Sequence, residues 1–128
     1  MDFFNVACTQ RAMRRLYSDP IADEDLWTIL ETAIMAPSGG NRQPWNFVVI
    51  RDAGAKAKIA AWYLEAWNKA YGGTTRDAML ADAAMAKTFK SADYLANHLA
   101  DVPVLVLATI KKDMFAIGPT LGASIYPA

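Results

Sequence analysis

Leu26, Ile29, Leu30, Ala33 and Ile34 recur at spacings of three and four, which draws one apolar stripe along a helix over roughly residues 23–35. Asp23, Glu24 and Asp25 fall in its first turn, where the helix dipole favours negative charge. The pattern stops at Pro37, and after "SGGNRQP" the period changes. "WNFVVI" (45–50) is aromatic and β-branched, as a buried strand is, and "RDAG" breaks it. Helical stretches follow at about 55–70 and 76–100, separated by "YGGTT", and the second is long enough to break in two. "VPVLVLATI" (102–110) is a continuous apolar run with Pro103 at its start, which predicts a second core strand covered on both faces.

This order predicts an α+β fold, a layered domain spanning residues 1–128, with no internal repeat or linker to divide it. "AIGPTLGASIYPA" resumes a helix-compatible apolar pattern after Pro119 and stops at Ala128. Two strands make a thin sheet, because a stable one needs three or more strands or firm helix cover. The chain therefore reads as unfinished at its C-terminal end.

Composition narrows the function classes. With 54% hydrophobic and 20% charged residues the chain is globular, and thirteen basic residues balance thirteen acidic ones. No overall field draws nucleic acid or an anionic membrane, so any anion site must be local. Cys8 and His98 are the single cysteine and histidine, which excludes an internal disulfide and a zinc-ligand cluster and points to the cytoplasm. The opening "MDFFNVACTQ" lacks a basic n-region, and no run approaches the roughly 18 apolar residues of a membrane span. The expectation is a protein neither exported nor embedded.

Two segments could carry chemistry. In "APSGGNRQPW", Gly39 and Gly40 can take positive φ and let a backbone or a flat ligand approach, while Ser38 and Asn41 supply hydrogen bonds. The plain alternative is a helix stop followed by an ordinary turn. In "TQRAMRRLYSDP", Arg11 would share a helix face with Arg14 and Arg15 and could bind a phosphate bidentately; the alternative is a solvated basic helix end. Together the two segments fit a phosphorylated, planar cofactor, one gripping the phosphate and the other passing a backbone close to the ring.

The pairing of "QRAMRRLYSDPI" with "ETAIMAPSGGNRQPWNFVVIRD" resembles the nitroreductase family of FMN-dependent oxidoreductases, and "GPTLGASIYPA" resembles the start of that family's long central helix. The resemblance implies a central β-sheet flanked by helices and a homodimer with FMN at each of two interface sites. It also implies that the flavin is reduced by NADH or NADPH and reoxidised by a nitroaromatic, a quinone or a similar small-molecule acceptor. By position, Gln10, Arg11, Ala12, Met13 and Arg14 fall on the first flavin-contacting element, with Arg14 placed to stabilise negative charge on the reduced ring. Ser38, Gly39, Gly40 and Asn41 fall on the second, which in the family reaches the flavin from the partner subunit. Gln10 replaces a common arginine and Ala12 a serine hydroxyl, which weakens two phosphate contacts. Family members are also considerably longer. Two other readings therefore stay open: a flavin-binding module without efficient turnover, and a truncated, non-catalytic partner or fragment.

The remaining conspicuous residues have structural readings. Cys8 is expected to be a small buried hydrophobe and His98 a surface or satisfied core histidine. Lys111 and Lys112 suit a solvated strand end. Trp62, Tyr63 and Trp67 suit core or dimer packing, with an aromatic lid over the substrate as the alternative. No Ser-His-Asp set or carboxylate pair suggests a general acid or base.

Overall fold

A computed structural model describes residues 2–110. The class is α+β: among the described residues there are five α-helices and an antiparallel strand pair, α1 (Phe3–Thr9), α2 (Asp23–Ala33), β1 (Trp45–Ile50), α3 (Ala53–Tyr71), α4 (Gly73–Ala81), α5 (Ala86–His98) and β2 (Leu105–Ile110). The described chain clusters into two compact units, one formed by residues 2–18 with 53–102, the other by residues 19–52 with 103–110. The segments read as a strand end at Lys111 and Lys112 and as a helix start at 118–128 lie outside the described residues.

In the first unit, α1 begins at Asp2, whose Oδ1 accepts the Asn5 N–H at 3.0 Å and caps the first turn. This helix was not anticipated from sequence, and it corrects the expectation for Cys8. None of its seven residues is buried, and Cys8 is an exposed free thiol. At Gln10 the backbone turns to φ −58°, ψ 132°, and no helix forms again before residue 23. The basic helix face expected for Arg11, Arg14 and Arg15 is thus replaced by irregular chain. Like charges three and four apart would have repelled one another on such a helix.

The expected helix over 76–100 breaks in two, as its length allowed. Asp82 leaves helical geometry (φ −78°, ψ 111°), and its Oδ1 accepts the N–H groups of Ala84 and Met85 at 2.8 and 3.2 Å, a local turn that competes with helix continuation. Between α3 and α4 a single residue, Gly72, makes the break; a Cβ there would stand 2.4 Å from the Asn68 carbonyl oxygen. The helices meet around Phe89, which is 6% exposed. Trp67 stacks on it at 5.7 Å between centroids, and Tyr71 packs against Trp67 at 4.5 Å. Such pairs contribute about 0.5–1.5 kcal/mol beyond the area they bury. Trp67 therefore packs within the helical unit, whereas Trp62 is 67% exposed. Val102 closes the unit: it is buried, and its carbonyl accepts from Lys56 Nζ at 2.6 Å.

In the second unit, α2 forms where the stripe predicts, with Leu26 buried and Ile34 as its C-cap, although Ile29 of that stripe is exposed. Asp23 pairs with Arg51 at 2.6 Å, and Arg51 also donates to the Ile21 carbonyl at 3.1 Å, tying the start of α2 to the end of β1. β1 and β2 run antiparallel in a register from Trp45↔Ile110 to Ile50↔Leu105. Trp45, Phe47 and Val49 share a sheet face by the strand's two-residue period and, with Trp27, Leu30 and Ile34 of α2, line an apolar groove. The expectation of strands covered on both faces is corrected here. Val48, Val106 and Leu107 are 48%, 43% and 53% exposed, because among the described residues the sheet has only two strands and one helix beside it.

Candidate functional site

The glycine-rich stretch folds as a tight turn in the second unit. Gly39–Asn41 form one 3₁₀ turn in which the Asn41 N–H donates to the Ser38 carbonyl at 2.9 Å. Gly40 takes φ +61°, and Asn41 and Gln43 also lie at positive φ, 52° and 46°. Few side chains tolerate this region; glycine does so without cost and asparagine at modest cost. Ser38 Oγ accepts the Gln43 N–H at 3.0 Å across the turn. Its role is thus to hold the loop shut, with its hydroxyl proton still able to donate. Ser38 is half-buried while Gly39, Gly40 and Asn41 are exposed, so the turn offers backbone rather than side chain to its surroundings.

The arginine-bearing stretch belongs to the first unit. Gln10, Arg11, Ala12 and Met13 are exposed, and with Val6 and Thr9 the residues Gln10, Arg11 and Met13 line an open concavity. Arg14 is half-buried and lines a small cleft with Tyr94, Leu95, His98 and Asp101. Among the described residues neither the Arg11 nor the Arg14 guanidinium has an ion-pair or hydrogen-bond partner. The two line different concavities, so the shared face expected of them is not formed, but each guanidinium can take an anion without first giving up an internal partner. Arg15 is engaged differently, its guanidinium carbon lying 4.1 Å from the centre of the Tyr94 ring.

Sequence reasoning missed the aromatic and acidic groups behind the arginines. His98 stacks on Tyr94 at 4.1 Å, and its Nδ1 lies 2.9 Å from Asp101 Oδ2. His98 is therefore a partly exposed, partnered histidine, one of the two readings expected for it. The spacings i,i+4 and i,i+3 on one helix end were the available signal. Also unforeseen was the Arg76–Asp93 pair with Trp67 Nε1 donating to the same carboxylate at 3.1 Å. The hydrogen bonds from Arg76, helped by that from Trp67, hold the Asp93 carboxyl below the usual carboxylate range against the opposing effect of burial. The same pairing raises the Arg76 guanidinium further above its ordinary value.

The sequence pattern of the Nitroreductase family matches residues 9–126, which include both segments. The chain belongs to the nitroreductase family. Among its relatives, the NADH dehydrogenase of Thermus thermophilus is 43% identical over 59 residues, 46% of this chain and 29% of that protein. The iodotyrosine deiodinase of Nematostella vectensis is 29% identical over 118 residues, 92% of this chain and 42% of that protein. In fold, the chain resembles an oxidised iodotyrosine deiodinase solved with FMN and 3-iodo-L-tyrosine, with a TM-score of 0.70 and 22% identity over 96% of this chain and 62% of that one. The chain thus spans less than half the length of these two curated relatives.

Proposed function

We propose that this nitroreductase-family chain is the flavin-binding portion of an FMN-dependent oxidoreductase that passes electrons from NADH or NADPH to a small acceptor, a nitroaromatic, a quinone or a similar molecule, as a homodimer. The observation that carries the reading is the pair of guanidinium groups at Arg11 and Arg14 that have no partner among the described residues, inside a family match that also contains the positive-φ turn at Gly40. These residues fit a phosphorylated, planar group. The arginines supply charge and donors for a phosphate, and Gly40 keeps a side chain away from a flat ring. FMN, when bound, supplies the two-electron chemistry.

The chain's own residues bind and orient. Arg11 and Arg14 would hold the phosphate and the electron-rich pyrimidine edge of the ring, Arg14 with less freedom because it is half-buried in its cleft. Gln10 and Met13 would flank them. The backbone of Gly39, Gly40 and Asn41 would lie against the ring from the partner subunit, with Ser38 fixing the turn through Gln43. No side chain is assigned a proton transfer.

A second reading of the acceptor is a halogenated phenol, reduced with loss of halide, which the 92% coverage by the deiodinase relative favours. One assay tests both. Anaerobic oxidation of NADH or NADPH by the FMN-loaded chain is followed with a nitroaromatic, a quinone or 3-iodotyrosine as acceptor. Acceptor-dependent turnover supports the oxidoreductase reading and identifies the class. A folded, FMN-loaded chain that oxidises neither reductant with any of them overturns it in favour of a flavin-binding module without turnover.

A further inference from the structure

We infer that Tyr94 is a positioning residue for the segment bearing Arg11 and Arg14: its ring takes the Arg15 guanidinium and so fixes the otherwise irregular chain that follows α1. The role assigned to that segment rests on the flavin reading above. The fixing itself does not.

Residues 10–22 belong to no helix or strand, so no backbone ladder holds Arg11 and Arg14 in place. An arginine in a segment of this kind loses much rotamer and backbone freedom when it grips a ligand, and anchoring next to it reduces that loss. The anchor is Arg15, 4.1 Å from the centre of the Tyr94 ring. His98 stacks on the same ring at 4.1 Å and 21°, and at these distances the two groups cannot share one face. Tyr94 is therefore held between them. His98 is in turn fixed by Asp101 at 2.9 Å, and α5 is itself seated by the buried Phe89 and Ala96. The platform belongs to a helix seated by buried residues, whereas the segment laid on it has no helix or strand of its own, so the contact orders the segment rather than the helix. Arg14, next in the chain, lines the cleft beside the same tyrosine.

Trypsin cleaves after arginine only where the chain can leave its resting place, so cleavage after Arg11 reads the anchoring without any flavin. Limited trypsinolysis with mass assignment of the cut would be applied to the full chain and to Arg15→Gln, Tyr94→Leu and Tyr94→Phe, with FMN affinity measured in parallel. A cation over an exposed aromatic face corresponds to about a two- to fivefold change. Arg15→Gln and Tyr94→Leu should each speed cleavage after Arg11 by that factor and weaken FMN by no more than it. Tyr94→Phe, which keeps the ring face, should match the parent in both. The double variant should be no worse than either single one, because both remove one interaction. Arg15 is exposed, so Arg15→Gln keeps the test valid if Tyr94→Leu does not fold. Unchanged cleavage in Arg15→Gln, or Tyr94→Phe as damaging as the loss of Arg15, overturns the inference. If the parent binds no FMN the flavin reading fails, and the cleavage rates still decide the anchoring.

Discussion

Arg76 and Asp93 face each other as two parallel forks, Nη1 to Oδ1 at 2.6 Å and Nη2 to Oδ2 at 2.5 Å, and so join α4 to α5. Because the carboxyl of Asp93 is lowered in the fold, its contribution to stability is complete above the unfolded value, about 3.9, and is lost as the pH falls through the depressed folded value. Asp93→Asn should lower the melting temperature near neutral pH and also reduce the further drop as the pH falls below about 4. Thermal unfolding followed by circular dichroism at several pH values checks this. An acid limb as steep in Asp93→Asn as in the parent would contradict it.

Phe89 carries the helical unit. Its ring contacts Trp67 and Tyr71, and it is one of the few buried apolar residues among those described. Phe89→Ala should cost about 3–5 kcal/mol in urea unfolding, and Phe89→Leu clearly less. A loss below about 1 kcal/mol for Phe89→Ala would show that the aromatic cluster is not the core of this unit.

How far the pattern of residues foretold the molecule depends on what each residue's conformation relies on. The stripe from Leu26 to Ile34 and the run from Trp45 to Ile50 are local signals, and α2 and β1 lie where they predicted. The arginine segment was misread because a count of spacings assumed a helix, whereas the chain leaves helical geometry at Gln10 and Arg15 finds an aromatic ring far along the sequence. Cys8 was misread because its hydrophobicity says nothing about whether a neighbour covers it. The glycine turn was legible at Gly40, since positive φ has few residue solutions, but Gly39 does not take the positive φ it was also credited with, and the positive φ of Gln43 was not foreseen. The pairings of Arg76 with Asp93 and Arg15 with Tyr94 were not legible, because tertiary contacts between residues 17 and 79 apart leave no periodic trace.

The turn gives a prediction separable from crowding. A Cβ on Gly40 would meet nothing closer than Arg42 Nε at 3.6 Å, so any penalty comes from its φ of +61°. Gly40→Val should cost about 1–3 kcal/mol in chemical unfolding, and Gly40→Asn less, since asparagine adopts this conformation readily. Equal costs for the two would show that the strain is not conformational.

Charge removal at the proposed phosphate grip should act on the ligand rather than on the fold. Neither Arg11 nor Arg14 has an internal partner among the described residues, so Arg11→Gln and Arg14→Gln should leave the melting temperature of the flavin-free chain unchanged. Each should weaken FMN roughly tenfold to a hundredfold, the value of a charge-assisted hydrogen bond, and flatten its salt dependence. Quenching of flavin fluorescence measures both effects. Affinities equal to the parent would remove these arginines from the site.

The most direct test of the flavin assignment is a titration of the purified 128-residue chain with FMN, followed by absorbance and native mass and then by anaerobic addition of NADH or NADPH. Binding of one FMN per chain in a dimer, with the flavin absorbance bleached by the reductant, is the predicted result. A folded chain that takes up no FMN would contradict the account.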